Sequence, residues 1–236
     1  MSKAVQEMLD IICDIKNYIV GEKIYSVTEK KSVLNKIPPS NSDFFNKIAA
    51  ELKKIQSEAS ECYKCIRSRH RLNIVSGFGN ILSEIMIIGD IPGKKDDFTG
   101  KCFSGEDGEL LLKMLDAVQL NIDKVYLTTF IKCYSEHDTK INLTKCINII
   151  KKQIEIINPK VILCLGEIPV EIFFNENLIL PDIRGKILSS DIFPDIKIIY
   201  TFHPSELIKN PSLKTLSWKD IQVFRDLYKS ICVKIY

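Results

Sequence analysis

Short, wholly apolar segments alternate with amphipathic ones along most of this chain, and this alternation limits the possible folds more than any other feature. A continuous apolar run is typical of a strand that is buried on both faces, and a helical pattern follows each run. Four such alternations predict a three-layer α/β/α sandwich with a central four-stranded, mainly parallel sheet. The predicted strands are Ile85–Ile88, Val125–Thr129, Val161–Leu165 and Lys197–Phe202.

Helical segments are expected on both faces of this sheet. Three of them follow from apolar residues at helical spacing, and a fourth is expected to start at Glu167, after the third strand. In an open parallel sheet, ligands bind beyond the carboxyl ends of the strands, so the loops after the four strands are the expected site. The other three predicted helices are Leu110–Leu120, Leu143–Ile157 and Trp218–Cys232.

The N-terminal region is expected to form a helical extension. Apolar residues from Val5 to Ile19 recur at helical spacing, and Lys30–Ser42, which contains two adjacent prolines, is typical of a linker. A second helix is expected to begin near Ser42 or Asp43, because either side chain can cap it. The chain is therefore divided into a helical extension and linker at residues 1–50 and a main domain at residues 51–236.

Composition places few limits on function. A net charge of +3 neither requires nor excludes a nucleic-acid partner. Acidic and basic residues interrupt the first apolar stretch, Val5–Val20, so it predicts neither an export signal nor a membrane span. Eight cysteines without an export signal favour a reducing, cytoplasmic location, where thiols serve metals or chemistry more often than disulfides.

Four cysteines have the spacing of metal ligands. Cys62 and Cys65 form a C-x2-C hook, and twelve residues separate Cys133 from Cys146. Four thiolates suit either a [4Fe–4S] cluster or a structural zinc ion, and the residues alone leave both open. The segment from the hook to Arg71 is rich in Lys and Arg and contains no acid. Such a segment can follow a phosphate backbone or can simply be a solvated surface.

Seven sequence pieces in collinear order resemble the family 4 uracil-DNA glycosylases. The C-x2-C hook is followed by a turn after the first strand, a segment ending in Phe and Gly, and a strand that runs into Lys132-Cys133. Cys146 and the other four pieces follow in the family's order, and the resemblance covers about Cys62 to Ile231. The matching pieces include Gly89–Gly93, Asp96–Gly105, Thr128–Cys133, Arg184-Gly185, Thr201–Ser205, Lys209–Pro211 and Trp218–Asp220.

The resemblance implies an enzyme of base-excision repair. Such an enzyme flips uracil out of single- or double-stranded DNA and hydrolyses its N-glycosidic bond, with a structural [4Fe–4S] cluster and no membrane partner. A monomer is expected. By position in the motifs, the cluster ligands are Cys62, Cys65, Cys133 and Cys146, and the catalytic residues are Asp90, Asp96 and His203. Substrate-binding residues are Gly89, Ile91, Phe103, Thr129 and His203, and DNA-binding residues are Arg69, Arg71, Ser205, Leu207 and Lys209.

Several pocket positions depart from the family pattern. Asp90 and Asp96 replace glutamates, Thr129 replaces the asparagine that reads the edge of uracil, and Cys102 replaces a proline. These changes leave two main interpretations open. The chain is either an active glycosylase with altered efficiency or base preference, or a catalytically impaired iron–sulfur DNA-binding protein of the same fold. A zinc-bound structural protein is the third.

Overall fold

The computed structural model describes residues 42–136, 143–174 and 178–232. The predicted helix over Val5–Ile19 and nearly all of the predicted linker lie outside these residues. The predicted start of the second helix is confirmed, because helix α1 spans Ser42–Ser60. This helix continues without a break through residue 50, so a domain boundary placed there would cut it. The division of the chain into an extension at residues 1–50 and a main domain at residues 51–236 stays a prediction.

The central sheet contains the four predicted strands in parallel. The chain enters the sheet at β1, and the strands lie in the order β1-β3-β2-β4-β6-β5. Neighbours β3 and β2, β2 and β4, and β4 and β6 are parallel, and only the two edge strands are antiparallel to their neighbours. The strands are β1 (Phe78–Gly79), β2 (Ile85–Gly89), β3 (Val125–Thr129), β4 (Val161–Leu165), β5 (Ile187–Ser190) and β6 (Phe193–Thr201).

The described helices cover both faces of the sheet, as a three-layer sandwich requires. The predicted helix over Leu143–Ile157 is found with those bounds, whereas the segment expected to be helical from Glu167 has only one turn of helix. In chain order the helices are α2 (Arg67–His70), α3 (Lys94–Thr99), α4 (Glu106–Ala117), α5 (Leu143–Ile157), α6 (Val170–Phe173), α7 (Leu180–Ile183), α8 (Pro204–Lys209) and α9 (Lys214–Ile231). Single 3₁₀ turns span Ile122–Lys124 and Pro211–Leu213.

Two apolar cores lie on opposite faces of the sheet because successive strand residues point in opposite directions. Ile150 and Ile154 of α5 pack in the first core, and Leu115 of α4 and Phe224 of α9 pack in the second. Helix α1 packs against the outside of α5, where Lys152 Nζ donates to Glu58 Oε2 at 2.9 Å. The α/β/α fold class is therefore confirmed. No helix of the described part is long and apolar enough to cross a membrane.

The carboxyl ends of the parallel strands all lie at the same end of the sheet. Gly89 at the end of β2 pairs with Thr129 at the end of β3, and Leu165 of β4 pairs with Thr201 of β6. The loops after these residues contain the motifs at Gly89–Gly93 and Thr201–Ser205. Candidate side chains that are far apart in sequence are thus brought to one end of the domain.

Candidate nucleobase pocket

Gly89 forms a closely packed wall of the pocket. A Cβ atom at this residue would lie 2.8 Å from Cζ of Phe103 and 3.2 Å from Nε2 of His203. The first distance is too short for a side chain and the second is tighter than an ordinary contact, so a side chain at residue 89 would displace the aromatic ring and crowd the imidazole. Gly89, Phe103 and His203, which were all predicted site residues, are therefore adjacent in the structure.

Phe103 is buried, and its ring stacks on the imidazole of His203. The ring centroids are 5.9 Å apart and the planes are inclined by 19°. The backbone of Phe103 has a φ of 57°, a left-handed conformation that is uncommon for a bulky residue. The backbone N–H of the next residue, Ser104, donates to Asp96 Oδ1 at 2.7 Å, and this contact helps to hold the loop. Strain of this kind is concentrated at functional sites.

His203 is held as a neutral imidazole. It precedes helix α8, and its Nδ1 accepts a hydrogen bond from the backbone N–H of Ser205 at 3.3 Å. The hydroxyl of Ser205 also lies 2.8 Å from Nδ1. Burial lowers the pKa of His203; the carboxylate of Asp107 opposes this shift, and the cation of Lys209 adds to it. Because Nδ1 is an acceptor, the neutral ring has its proton on Nε2, which faces Gly89 and the pocket.

Asp90 connects the first pocket loop to the loop after β4. Its two carboxylate oxygens accept hydrogen bonds from the backbone N–H groups of Glu167 at 3.2 Å and Ile168 at 3.1 Å. Gly166, with a φ of 101°, lies against this carboxylate so closely that a side chain would collide with it. Burial raises the pKa of Asp90 to about 7, and the neighbouring carboxylates of Glu167 and Glu206 act in the same direction.

Asp96 connects the turn at Gly93 to the loop that contains Phe103. Oδ2 accepts a hydrogen bond from the backbone N–H of Gly93 at 2.9 Å, and Oδ1 accepts the one from Ser104. The side chain is almost completely buried, whereas Asp90 keeps part of its surface in solvent. Burial raises the pKa of Asp96 to about 7, and the carboxylate of Asp107 adds to this effect. Both carboxyl groups therefore change charge near neutral pH.

Thr129 and Ile91 complete the predicted substrate-binding set. The Thr129 hydroxyl is buried and donates to the carbonyl of Ile131 at 2.8 Å, so its only hydrogen is used within the protein. A hydroxyl in this state can accept a hydrogen bond but cannot donate another. Ile91 is half-buried and packs against the first apolar core. Thr129 and Ile91 therefore offer a base no side-chain hydrogen-bond donor.

The four predicted cysteine ligands are close enough to influence one another electrostatically. Cys133 and Cys146 are buried, Cys62 and Cys65 are half-buried, and all four are free thiols. Burial raises the pKa of the Cys133 and Cys146 thiols, and the charges of the other cysteines act in the same direction. Arg71 donates to Cys133 Sγ at 3.1 Å. In the part of the chain that the structure describes, no group of three or more His, Cys, Asp or Glu side chains is arranged to hold a single metal ion.

The predicted DNA-binding residues differ in how accessible they are. Arg69 and Lys209 are exposed. The guanidinium of Arg71 instead donates to the Ser60 carbonyl at 2.5 Å as well as to Cys133, so it serves the protein interior. Leu207, predicted to bind DNA, is only 2% exposed and packs in the first core, so it is not free to enter DNA in this conformation.

Ile208 and Ser205, on either side of Leu207, differ from it in exposure and in role. Ile208, which follows Leu207, is 40% exposed and is the accessible apolar side chain of this segment. Ser205, predicted to contact DNA, has its hydroxyl on His203 Nδ1, so in this structure it orients the imidazole.

Sequence reasoning gave no role to the ion pair that supports the His203 strand. Arg184 Nε donates to Asp220 Oδ2 at 3.0 Å, and Thr201 Oγ1 donates to the same oxygen at 2.8 Å. Gly185, with a φ of 69°, lies against the Asp220 carboxylate, where a Cβ atom would come within 2.5 Å of Oδ1. Three of the matched sequence pieces therefore meet in one network. In the sequence, the only sign of this network was that its residues lie in pieces that match the family motifs.

The fold and the pocket together define a glycosylase-type α/β domain, with a neutral imidazole and an aromatic ring at the carboxyl ends of a parallel sheet. The chain belongs to the Uracil DNA glycosylase superfamily, whose family model matches residues 76–227. The resemblance found from the motifs is therefore confirmed at the level of the family.

Individual relatives give the same result over most of the chain. A protein named Type-4 uracil-DNA glycosylase from Archaeoglobus fulgidus is 32% identical over 168 residues, which are 68% of this chain and 84% of that protein. A protein of the same name from Thermotoga maritima is 33% identical over 186 residues, which are 76% of this chain and 96% of that protein. The Sulfurisphaera tokodaii protein of that name is 32% identical over 188 residues.

Proposed function

We propose that this chain is a uracil-DNA glycosylase that hydrolyses the N-glycosidic bond between uracil and deoxyribose in DNA. The observation that carries the proposal is the contact between Gly89, Phe103 and the Nε2 side of His203. It combines a flat apolar face for a base with a neutral donor beside it. The names of the relatives support uracil as the base.

His203 is the donor that stabilises the departing base. As the bond between uracil N1 and the sugar C1′ breaks, its electrons remain on uracil and negative charge develops on O2. The imidazole is neutral, and its Nε2–H donates a hydrogen bond to O2. The backbone N–H of Ser205 donates to Nδ1, which therefore stays the acceptor. Phe103, whose ring is buried against His203 and Gly89 in this conformation, is proposed to stack on the flipped ring when the base enters, which contributes on the order of 1–3 kcal/mol.

A carboxylate stabilises the cation-like sugar and positions the water. The water oxygen forms the new bond to C1′, and its proton is accepted by the carboxylate, so an ionised acid is required. Asp96 is assigned this role by its position in the family motif, and Asp90 is the second candidate. Because both oxygens of each group already accept backbone hydrogen bonds, only their second lone pairs are available to water or sugar.

Cys62, Cys65, Cys133 and Cys146 are proposed to hold a [4Fe–4S] cluster. The donor set fits this group: four thiols that influence one another's charge, with the cations Arg71 and Lys132 beside them. When bound, the cluster supplies a structural crosslink between the hook and the segment that ends β3. Arg71 offsets thiolate charge at Cys133 and connects that cysteine to the end of α1 through the Ser60 carbonyl.

A uracil-release assay tests the proposal. A single-stranded oligonucleotide with one uracil, labelled at its end, is incubated with the protein and then treated with hot alkali, which cleaves the strand at an abasic site. We expect scission at the uracil and none in the same oligonucleotide with thymine there. Absence of scission, with DNA binding intact, would reject the enzyme and identify the alternative, a catalytically impaired iron–sulfur DNA-binding protein. Monomeric state and cytoplasmic location stay predictions.

A further inference from the structure

Two large apolar side chains lie exposed beside the pocket with no role in it. Phe98 on helix α3 is 68% exposed, and Leu72, which follows the basic segment, is 72% exposed. The side-chain amide of Asn73 donates to the Phe98 carbonyl at 3.1 Å, so the residues next to Leu72 contact the backbone of Phe98 directly. The two side chains thus stand on adjoining backbone segments, and neighbouring exposed apolar groups indicate an interaction surface.

A buried carboxylate holds the backbone segments that carry these two side chains. Asp97 accepts hydrogen bonds from the backbone N–H groups of Leu72 at 3.0 Å and Asn73 at 3.2 Å. Asn73 Nδ2 also donates to the Asp97 carbonyl at 2.8 Å. These bonds fasten the end of the basic segment to helix α3. Phe98 and Leu72 are thus displayed outward on a fixed backbone, which lowers the entropy cost of binding through them.

The surface around Phe98 and Leu72 is positively charged. Residues 62–73 and 93–101 contain seven Lys and Arg residues, of which Arg67 is buried and Arg71 bonds within the protein, and their only acids are Asp96 and Asp97. Both acids are buried and bonded to backbone, so no acidic side chain of these two segments faces solvent. Exposed aromatic and apolar faces among cations, without exposed acids, fit a polyanion that carries flat apolar groups, which is the chemistry of a single nucleic-acid strand.

The surface is joined to the pocket loop by direct contact. Thr99, the residue after Phe98, places its hydroxyl 2.8 Å from the Ser104 hydroxyl, next to Phe103. Asp96 of the same helix binds the backbone of Ser104. A DNA strand whose base enters the pocket therefore has its neighbouring nucleotides within reach of helix α3.

We propose that Phe98 and Leu72 form an outer platform on which unpaired bases beside the flipped nucleotide stack. This inference deepens the proposed function, on which it rests. Because bases in a duplex already stack on one another, the platform favours single-stranded substrate. Arg69, which is exposed on the adjoining helix α2, contacts the phosphates of that strand.

Binding to a uracil-free oligonucleotide tests the platform apart from catalysis. The full chain, purified with its bound metal, is titrated into a dye-labelled single strand and into a duplex of the same sequence, and anisotropy gives the Kd. We expect Phe98→Ala and Leu72→Ala each to raise the Kd for the single strand about tenfold. The Kd for the duplex should change less than about twofold. Phe98→Trp should keep the wild-type Kd.

Phe44→Ala is the matched control. Phe44 is 59% exposed and lies in the first turn of the 19-residue helix α1, about 24 Å along the helix from the end that leads to the hook. A thermal melt of each variant shows that it is folded. An unchanged single-strand Kd in Phe98→Ala would overturn the platform, and so would an equal weakening for strand and duplex.

The two proposals fail separately. If the wild-type protein released no uracil, the glycosylase proposal would be rejected, and the Kd values would still decide whether the platform exists. An unchanged Kd in the Phe98 and Leu72 variants, with uracil release intact, would reject the platform alone and would mean that these side chains meet something other than DNA.

Discussion

The nucleobase pocket and the cysteine region differ in what holds them together. In the pocket, Asp90 and Asp96 each accept two backbone hydrogen bonds, and His203 is oriented by Ser205. The protein alone therefore preorganises these groups. The four ligand cysteines have no disulfide, and among their described contacts the Arg71 hydrogen bond is the one side-chain bond to a thiol. The comparison indicates that a pocket variant changes the rate, whereas a cysteine variant changes the structure.

The largest expected effect is that of removing the pocket donor. His203→Ala should lower kcat for uracil release by about 10²–10³, because one preorganised donor to a developing anion is lost. The iron content and the Tm should stay close to those of wild type, since no cysteine is touched. Single-turnover assays at saturating oligonucleotide measure the rate. His70→Ala, at an exposed histidine outside the pocket, is the control. Normal turnover in His203→Ala would reject the donor role.

The next effect is expected in the cysteine region, where structure rather than rate should change. Cys62→Ser should abolish the absorbance at about 400 nm that a [4Fe–4S] cluster gives. The free energy of unfolding should fall by about 3 kcal/mol, or roughly 10 °C in Tm, because metal binding contributes to folding. Cys232→Ala, at a half-buried cysteine outside the ligand set, should keep the absorbance. If the wild-type protein were colourless and contained zinc, the cysteines would hold a structural zinc ion and not a [4Fe–4S] cluster.

The pH dependence of turnover sharpens the comparison further. The pKa of Asp90 and of Asp96 is raised to about 7, and the reaction needs a carboxylate, so kcat should rise with pH through about 7 and then level off. From pH 6 to pH 8, the ionised fraction increases by about tenfold. Burial lowers the pKa of His203, which favours its neutral form. A rate that is flat or falls with pH would contradict this assignment.

Variants of the two carboxyl groups identify which one titrates. The rise should disappear in the variant, Asp96→Asn or Asp90→Asn, that removes the catalytic carboxylate, and remain in the other. Each variant loses one of two oxygens that accept hydrogen bonds from backbone N–H groups, so the two variants should lose similar amounts of stability. Disappearance in Asp90→Asn alone would move the water-positioning role from Asp96 to Asp90.

The sequence predicted the buried parts of the fold better than its edges. The four parallel strands were recognised because strands buried on both faces are continuous apolar runs. Edge strands β1 and β5 were missed, since the first has two residues and the second alternates with exposed positions. In the site, the motifs identified Phe103 and His203. They did not show that Arg71 serves a thiol, because a basic run looks the same whether it faces DNA or the protein.

Partners across long sequence separations were beyond sequence reasoning. Asp90 bonds to backbone groups at Glu167 and Ile168, and no residue type at those positions is required for a backbone N–H to donate. The same holds for Asp97, whose partners are the amides of Leu72 and Asn73. Hydrogen bonds of this kind can be recognised only when the tertiary structure shows which loops lie next to each other.

The smallest expected effect concerns Thr129, the pocket residue whose hydroxyl is already used. Thr129→Asn supplies an amide with both a donor and an acceptor for the edge of uracil, so kcat/KM should rise by about 3–10-fold for uracil against other bases. Thr129→Val is the control, because it removes only the bond to the Ile131 carbonyl and should cost about 1 kcal/mol of stability without changing base preference. If Thr129→Val abolished the preference for uracil, the hydroxyl would be reading the base, and the pocket would be less completely preorganised than its hydrogen bonds indicate.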